Sequence, residues 1–444
     1  MHGSIPPAAP DPTPAELISA RPFLSQGTPD GLAFEGVPLA AIADALGTPT
    51  YVYSAGTIRA RFAALTAALT AAGLSAHIHY AVKANDHLAV LRLLGRLGAG
   101  ADVVSAGELG RALAAGIPAE RIVFSGVGKT GAELARALEA GTGQINVESA
   151  EELAELSAIA TGLGRIAPVA LRVNPDIDAG THAKITTGLA QNKFGIPAAE
   201  IPALYAQAAR LPGIAPMGLA LHIGSQILSL APFRESFSVL ARLVRELRAS
   251  GFPLTRVDCG GGLGVAYRNE PAPTPEGLAG ALAETFRGLD VALLLEPGRW
   301  LLAPAGLLLA SVVRIKPGPE RPFVVLDAGM NDLIRPALYE AWHGIVPLAP
   351  SLALTNAEPA SADIVGPICE SADTFATARA LPSLVPGARV ALLDAGAYGR
   401  VMGSAYNARP RAAEAMVDGE RWALIRPRPP LASLWADELV PDWL

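Results

Sequence analysis

Cysteine is scarce in this sequence. Its two residues in 444, Cys259 and Cys369, are too few for a disulfide framework, so a reducing, cytoplasmic setting is expected. Charge is thin as well: at 17% charged residues and a formal net charge of -6, the chain lacks the basic footprint of a nucleic-acid binder. Half the residues are hydrophobic, which argues against disorder. Long apolar runs are missing too. The longest nearly uncharged stretch, Leu301 to Val313, contains Pro304 and is too short to span a bilayer, so no membrane partner is expected. The opening MHGSIPPAAPDPTP has no basic region leading into an apolar core and reads as a loose leader rather than a signal peptide.

What remains is a chain long enough for two to three domains, or for one barrel with an addition. GLAFEGVPLAAIADALGTPTYVYS (31–54) reads as strand, helix and strand, and 57–72 is helical in pattern. From residue 76 there are eight short β-branched or aliphatic runs: 76–83, 100–105, 122–126, 144–149, 167–174, 217–224, 256–262 and 292–298. Amphipathic stretches separate most of them, including 87–97, 132–140, 150–163, 233–250 and 275–289. Strands alternating with helices eight times imply an α/β fold of the (β/α)8 TIM type, here over 51–300, with the helix at 57–72 completing the outer ring. Beyond 300 the rhythm changes to strands without long helices, at 307–315, 322–326, 363–368, 390–394 and 421–425. Gly and Pro punctuate them as in an antiparallel β domain. That domain is expected to span 301–444 and to take a strand from residues 1–50.

Polar residues collect at the C-terminal ends of the eight runs: Lys83, Asp102, Ser105, Ser125, Asn146, Arg172, Asn174, His222, Ser225, Asp258, Glu296 and Arg299. Barrel enzymes place their chemistry at that face. In HIHYAVKAND (77–86) a two-residue alternation puts Lys83 at the end of a buried strand. An amine there is either a snorkelling rim residue or a group that forms an imine. VDCGGGLGV (257–265) sets three glycines after the seventh run, where barrels often bind phosphate through backbone N–H groups; a tight turn is the plainer alternative. LLLEPGRW (293–300) brings Glu296, Gly298 and Arg299 beside that turn, as a rim ion pair or as partners for a ring nitrogen and an anion. His222 is a core histidine or a ring that stacks on a planar cofactor. The connection 175–196 is abnormally long, and its Thr, His, Lys and Asn favour a functional loop. An amine, an anion cradle, a flat ring and an acid together make the inventory for pyridoxal phosphate. The motifs assign no metal.

Ordered motifs then identify a resemblance. YAVKAN (80–85), RVNP (172–175), THAKITTG (181–188), NKFGI (192–196), HIGSQI (222–227), GGG (260–262), EPGR (296–299), MNDLIRPALY (330–339), CES (369–371) and DAGAYG (394–399) resemble the fold-type III pyridoxal-phosphate decarboxylases. The closest likeness is to the branch acting on diaminopimelate, over about residues 31–430. The resemblance implies that Lys83 is the cofactor-bearing lysine and that His222 stacks on the ring. Ser225, Gly260, Gly261, Gly262 and Tyr398 would hold phosphate, with Gly298 and Arg299 beside them. Glu296 would keep the ring nitrogen protonated, where racemases of this fold type have Arg. Arg299, Arg335, Tyr339, Glu370 and Tyr398 would bind the substrate, and Cys369 would reprotonate the carbanion across a homodimer with shared sites. The implied reaction converts meso-2,6-diaminopimelate to L-lysine and CO2, at the end of lysine biosynthesis. Decarboxylation of ornithine, lysine or arginine and a silent binding protein are the alternatives. Cys259 reads as core. CESAD (369–373) departs from the usual CESGD, which would matter if Ala372 had to adopt positive φ.

Overall fold

The structure, a computed structural model, describes residues 11–28, 31–268, 270–349 and 360–444. The first ten residues of the expected leader lie outside the described residues. Two compact units emerge: residues 57–265 with 271–303, and the remainder, comprising the chain up to 56, a short segment 266–270 and everything from 304 onward.

The first unit is a closed parallel barrel. Its strands are Ala76–Ala81, Gly100–Val103, Ile122–Phe124, Gln144–Val147, Ala167–Asn174, Ile214–Leu221, Arg256–Asp258 and Ala292–Leu295, each paired to the next. Leu293–Leu295 pairs back to Ala76–Ile78 and closes the ring. Glycine starts one strand and immediately precedes another because nothing larger fits. A Cβ on Gly100 would lie 2.3 Å from the Arg121 carbonyl, and one on Gly143 would lie 2.0 Å from that of Glu120.

Caps then set where the helices start. Ser105, Thr130 and Ser149 each accept the backbone N–H of a glutamate three residues on, opening the helices Ala106–Ala114, Gly131–Ala140 and Ala150–Gly162. These helices begin just past the C-terminal ends of the second, third and fourth strands, so that face gathers both strand ends and helix N-termini. The helix Ala55–Ala71 joins the outer layer by stacking the Arg61 guanidinium 3.9 Å above the Trp300 ring.

One expectation is corrected at the first strand. It ends at Ala81, and Lys83 lies in a 3-10 turn, Val82–Ala84, instead of continuing the alternation. The cause is local: buried Tyr80 donates its hydroxyl to the Asn85 carbonyl at 2.9 Å, and the Asn85 side chain accepts from the His87 N–H at 3.0 Å. These bonds fold YAVKAN into a turn before a ladder can extend.

The second unit is built on Gly306–Lys316, which pairs antiparallel with Thr50–Ser54, Phe323–Leu326 and Arg389–Leu392. Residues alternate between two cores. Tyr51, Tyr53, Leu308 and Ala310 face one cluster, while Val52, Leu307 and Leu309 face another beneath the helix Leu39–Leu46. The sheet is not wholly antiparallel, since Phe323–Leu326 with Ala360–Val365, and Thr50–Ser54 with Ala413–Asp418, run parallel. Thr374–Leu381 and Ala413–Asp418 are strands that the sequence pattern hides. Their alanines and inward Arg379 and Glu414 replace the β-branched signature.

Candidate functional site

At the C-terminal mouth of the barrel a cavity of about 180 Å³ is lined by Lys83, Ser125, Asn146, Arg172, His222 and Glu296, among others. The turn after the first strand delivers Lys83 to it, and its Nζ meets Asp102 Oδ2 at 2.6 Å. Asp102 is fully buried and its other oxygen, Oδ1, has no hydrogen-bond partner. An ammonium can sit in this wall because a buried carboxylate faces it.

Two further acids lie below. Glu296 and Asp258 share a side-chain hydrogen bond. Burial first, then the charges of Asp102 and Asp258, push Glu296 well above the usual carboxylate range. Glu296 Oε1 is buried without a hydrogen-bond partner, and a group left so is expensive unless a ligand satisfies it. Asp258 is held by Asn146 Nδ2 at 3.0 Å and accepts the Gly260 N–H at 3.0 Å.

That last bond begins the glycine turn. A Cβ on Gly260 would meet the Leu221 carbonyl at 2.1 Å, and one on Gly261 would meet the Glu296 carbonyl at 2.2 Å. The turn is thus clamped between the ends of the sixth and eighth strands, where only glycine fits. The Gly261 N–H donates to His222 Nδ1 at 3.2 Å, so His222 is the tautomer protonated at Nε2. Burial, then Lys83 and Arg172, hold the His222 pKa well below its ordinary value, and the ring is neutral. Ser225 Oγ accepts from Arg299 NH2 at 3.0 Å. Gly298 packs closely on Ala81 and Ala84, beside the Lys83 turn.

The long connection 175–196 is laced to the sixth strand's end. Thr187 Oγ1 donates to the His222 carbonyl at 2.9 Å, and the Ser225 N–H reaches the Ile185 carbonyl at 3.2 Å. Phe194 lies under the Arg172 guanidinium at 4.8 Å, and Glu148 accepts from Arg172 and from the Gly195 N–H. Lys83, His222, Ser225, Gly260, Gly261, Gly262, Glu296, Gly298 and Arg299 therefore share one mouth. Asp102 and Asp258 were visible in the sequence as polar strand ends without a role. Their signal is position, each being the last inward residue of a strand adjoining the mouth.

The other expected residues belong to the second unit. Cys369 is exposed, and its backbone N–H bonds Asn407 Oδ1 at 2.9 Å. Glu370 accepts from the Tyr406 hydroxyl. Asp373 ties this loop down by accepting the N–H groups of Ile368 and Met330, both at 2.6 Å, a role the sequence reading missed. Ala372 is not among the residues with positive φ, so the CESAD variation costs no backbone strain. Tyr398 is half-buried at φ 55. Arg335 and Tyr339 begin and end a short helix. Arg335 is buried, meets His343 Nε2 at 2.7 Å and covers the Tyr267 ring at 4.6 Å. The thiol of Cys259 is enclosed in the barrel, where burial and the charges of Asp258 and Glu296 push its pKa well up, leaving it an inert core thiol.

The barrel mouth fits pyridoxal phosphate. It offers an amine, a ring-sized cavity, a neutral imidazole wall, an unpartnered buried carboxyl oxygen and a close-packed glycine turn. Among the described residues no helix is long and apolar enough to cross a membrane, and no three His, Cys, Asp or Glu side chains gather as a metal site.

Comparisons with known proteins agree. Residues 55–303 match the family described as pyridoxal-dependent decarboxylase, pyridoxal binding domain. The chain is 46% identical to a diaminopimelate decarboxylase of Zymomonas mobilis, over 95% of this chain and all of that one. A crystal structure of diaminopimelate decarboxylase from M. jannaschi superposes with a TM-score of 0.90 at 37% identity, covering 96% of this chain and 100% of that one. The Helicobacter pylori enzyme complexed with L-lysine superposes with a TM-score of 0.85 at 40% identity, covering 90% and 98%.

Proposed function

The chain belongs to the pyridoxal-dependent decarboxylases, and from that premise we infer that it converts meso-2,6-diaminopimelate to L-lysine and CO2, the last step of lysine biosynthesis. The observation that carries the chemistry is the Lys83 amine, held at a cavity that Glu296 also lines, with the carboxyl oxygen Oε1 of Glu296 buried and without a hydrogen-bond partner. Relatives named diaminopimelate decarboxylase, matched over nearly their whole length, carry the substrate.

Lys83 Nζ would anchor the cofactor, and Asp102 holds that amine in place by a hydrogen bond. His222 would lie against the ring's face as a neutral imidazole, while Ser225 and the turn of Gly260, Gly261 and Gly262 would line the phosphate site, with Arg299 alongside. Tyr398 would add a phosphate contact. Glu296 would face the ring nitrogen and keep it protonated. When bound, pyridoxal phosphate supplies an electron sink for the pair left behind as the carboxylate departs. Arg299, Arg335, Tyr339 and Glu370 orient the substrate, so that the bond to be broken is the one aligned with that sink.

The last step needs a proton on carbon. Cys369 supplies it from Sγ, acting within a homodimer whose active sites are shared between subunits. Its exposure on its own chain supports this reading. With two free thiols, the protein suits the reducing cytoplasm.

The test is Lys83→Ala in the purified protein. It should abolish the visible absorbance of lysine-bound cofactor and the release of CO2 from meso-diaminopimelate. Turnover at the wild-type rate would remove Lys83 from the reaction.

A further inference from the structure

Arginine binds a carboxylate well only if its planar fork is held in one orientation, since two parallel N–H···O bonds tolerate little rotation. In this chain three groups fix Arg335. His343 is almost wholly buried, and its two ring nitrogens are both committed: Nε2 lies 2.7 Å from Arg335 NH1, and Nδ1 lies 2.7 Å from the Leu393 carbonyl. A guanidinium only donates and a carbonyl only accepts, so Nδ1 must carry the hydrogen and Nε2 must accept. The Leu393 carbonyl thereby selects the tautomer able to receive Arg335. The Tyr267 ring lies under the guanidinium at 4.6 Å and meets the His343 ring edge-on at 5.5 Å. One partner fixes the fork within its plane, and the other fixes the plane itself.

We propose that His343 and Tyr267 are positioning residues that hold Arg335 for the carboxylate remote from the reacting carbon, and so set the preference for a substrate with two carboxylates. This rests on the diaminopimelate reading. A meso substrate has one D and one L centre, and a product that is L-lysine keeps the L centre. The departing CO2 therefore comes from the D centre, and the group facing Arg335 is the L-centre carboxylate. L-Lysine retains that carboxylate, whereas 1,5-diaminopentane lacks it.

The pair of ligands separates positioning from general damage. In His343→Leu, KM for meso-diaminopimelate and Ki for L-lysine should rise together by roughly tenfold, the scale of one hydrogen bond to a charged group. Ki for 1,5-diaminopentane and kcat should stay within about twofold, as for a contact made equally in the ground and transition states. His343→Gln, whose side-chain oxygen can accept in place of Nε2, should recover most of the loss. Tyr267→Leu should reproduce the pattern and carries the test if His343→Leu does not fold. Unchanged L-lysine binding in folded His343→Leu and Tyr267→Leu, or equal weakening of both ligands, overturns the proposal. Arg335→Leu distinguishes the premise: if it leaves L-lysine binding intact, Arg335 does not hold that carboxylate and the proposal fails, whereas a wild-type protein that releases no L-lysine from meso-diaminopimelate fails the diaminopimelate reading instead.

Discussion

Lys83 shows how far a single residue can be read. Alternation in HIHYAVKAND takes it to the end of the first strand, but the Tyr80 to Asn85 hydrogen bond stops the strand at Ala81 and swings the amine into a turn. That bond joins positions five apart and has no periodicity, so the pattern cannot carry it. The roles of Asp102 and His343 were out of reach for a related reason. Each matters through a partner distant in sequence, and register and tertiary packing decide such contacts. Glu108 is another residue whose environment, not its identity, sets its behaviour. Burial pushes its carboxyl up to about 7, against a backbone hydrogen bond from Val104 that pulls it down. Glu108 thus binds its proton more tightly in the folded chain than in the unfolded one, where it titrates near 4.5. Its contribution to stability is full below that value and is lost as the pH rises through about 7. Between pH 5 and 7.5 the Tm of the wild type should fall relative to that of Glu108→Gln. Parallel curves would mean that burial does not govern this acid.

At the scale of elements, the glycine turn 260–262 was legible as a cluster but not as a necessity. Sequence leaves a phosphate cradle and an ordinary tight turn equally open. The structure shows Gly261 pinned by the Glu296 carbonyl and bonded to His222, so that one turn joins the sixth, seventh and eighth strands. Gly261→Ala should therefore act on two of these at once. With a Cβ 2.2 Å from a backbone oxygen, the turn must shift, and we expect cofactor affinity to drop at least roughly tenfold as the cradle is displaced. Equilibrium dialysis against pyridoxal phosphate measures this, and wild-type affinity in the variant would show that the turn is not the cradle. The connection 175–196 stood out by length alone. The Thr187 hydroxyl and the Ile185 carbonyl bond it to the chain just past the sixth strand, which gives that threonine a role in placing the segment.

For the whole molecule, eight alternations were enough to give the barrel, because a buried parallel strand writes a dense apolar run. The second unit was harder to read. Its strands Thr374–Leu381 and Ala413–Asp418 bury Arg379 and Glu414 within the sheet, against the usual sorting of charge to the surface. Assembly is the remaining question at this scale. If the active sites of the homodimer are shared, mixing Lys83→Ala with Cys369→Ala chains should restore roughly a quarter of wild-type sites through statistical hybrid dimers. No recovery after verified subunit exchange would place both groups in one chain's site. The central claim is the reaction itself, and CO2 release by the purified, cofactor-loaded protein tests it most directly, with meso-diaminopimelate, ornithine, lysine and arginine supplied separately. The account predicts CO2 and stoichiometric L-lysine from meso-diaminopimelate, with the other three turned over at least roughly a hundredfold less efficiently, as expected when a buried charge is left without its carboxylate. Preferred release from ornithine, lysine or arginine would contradict it.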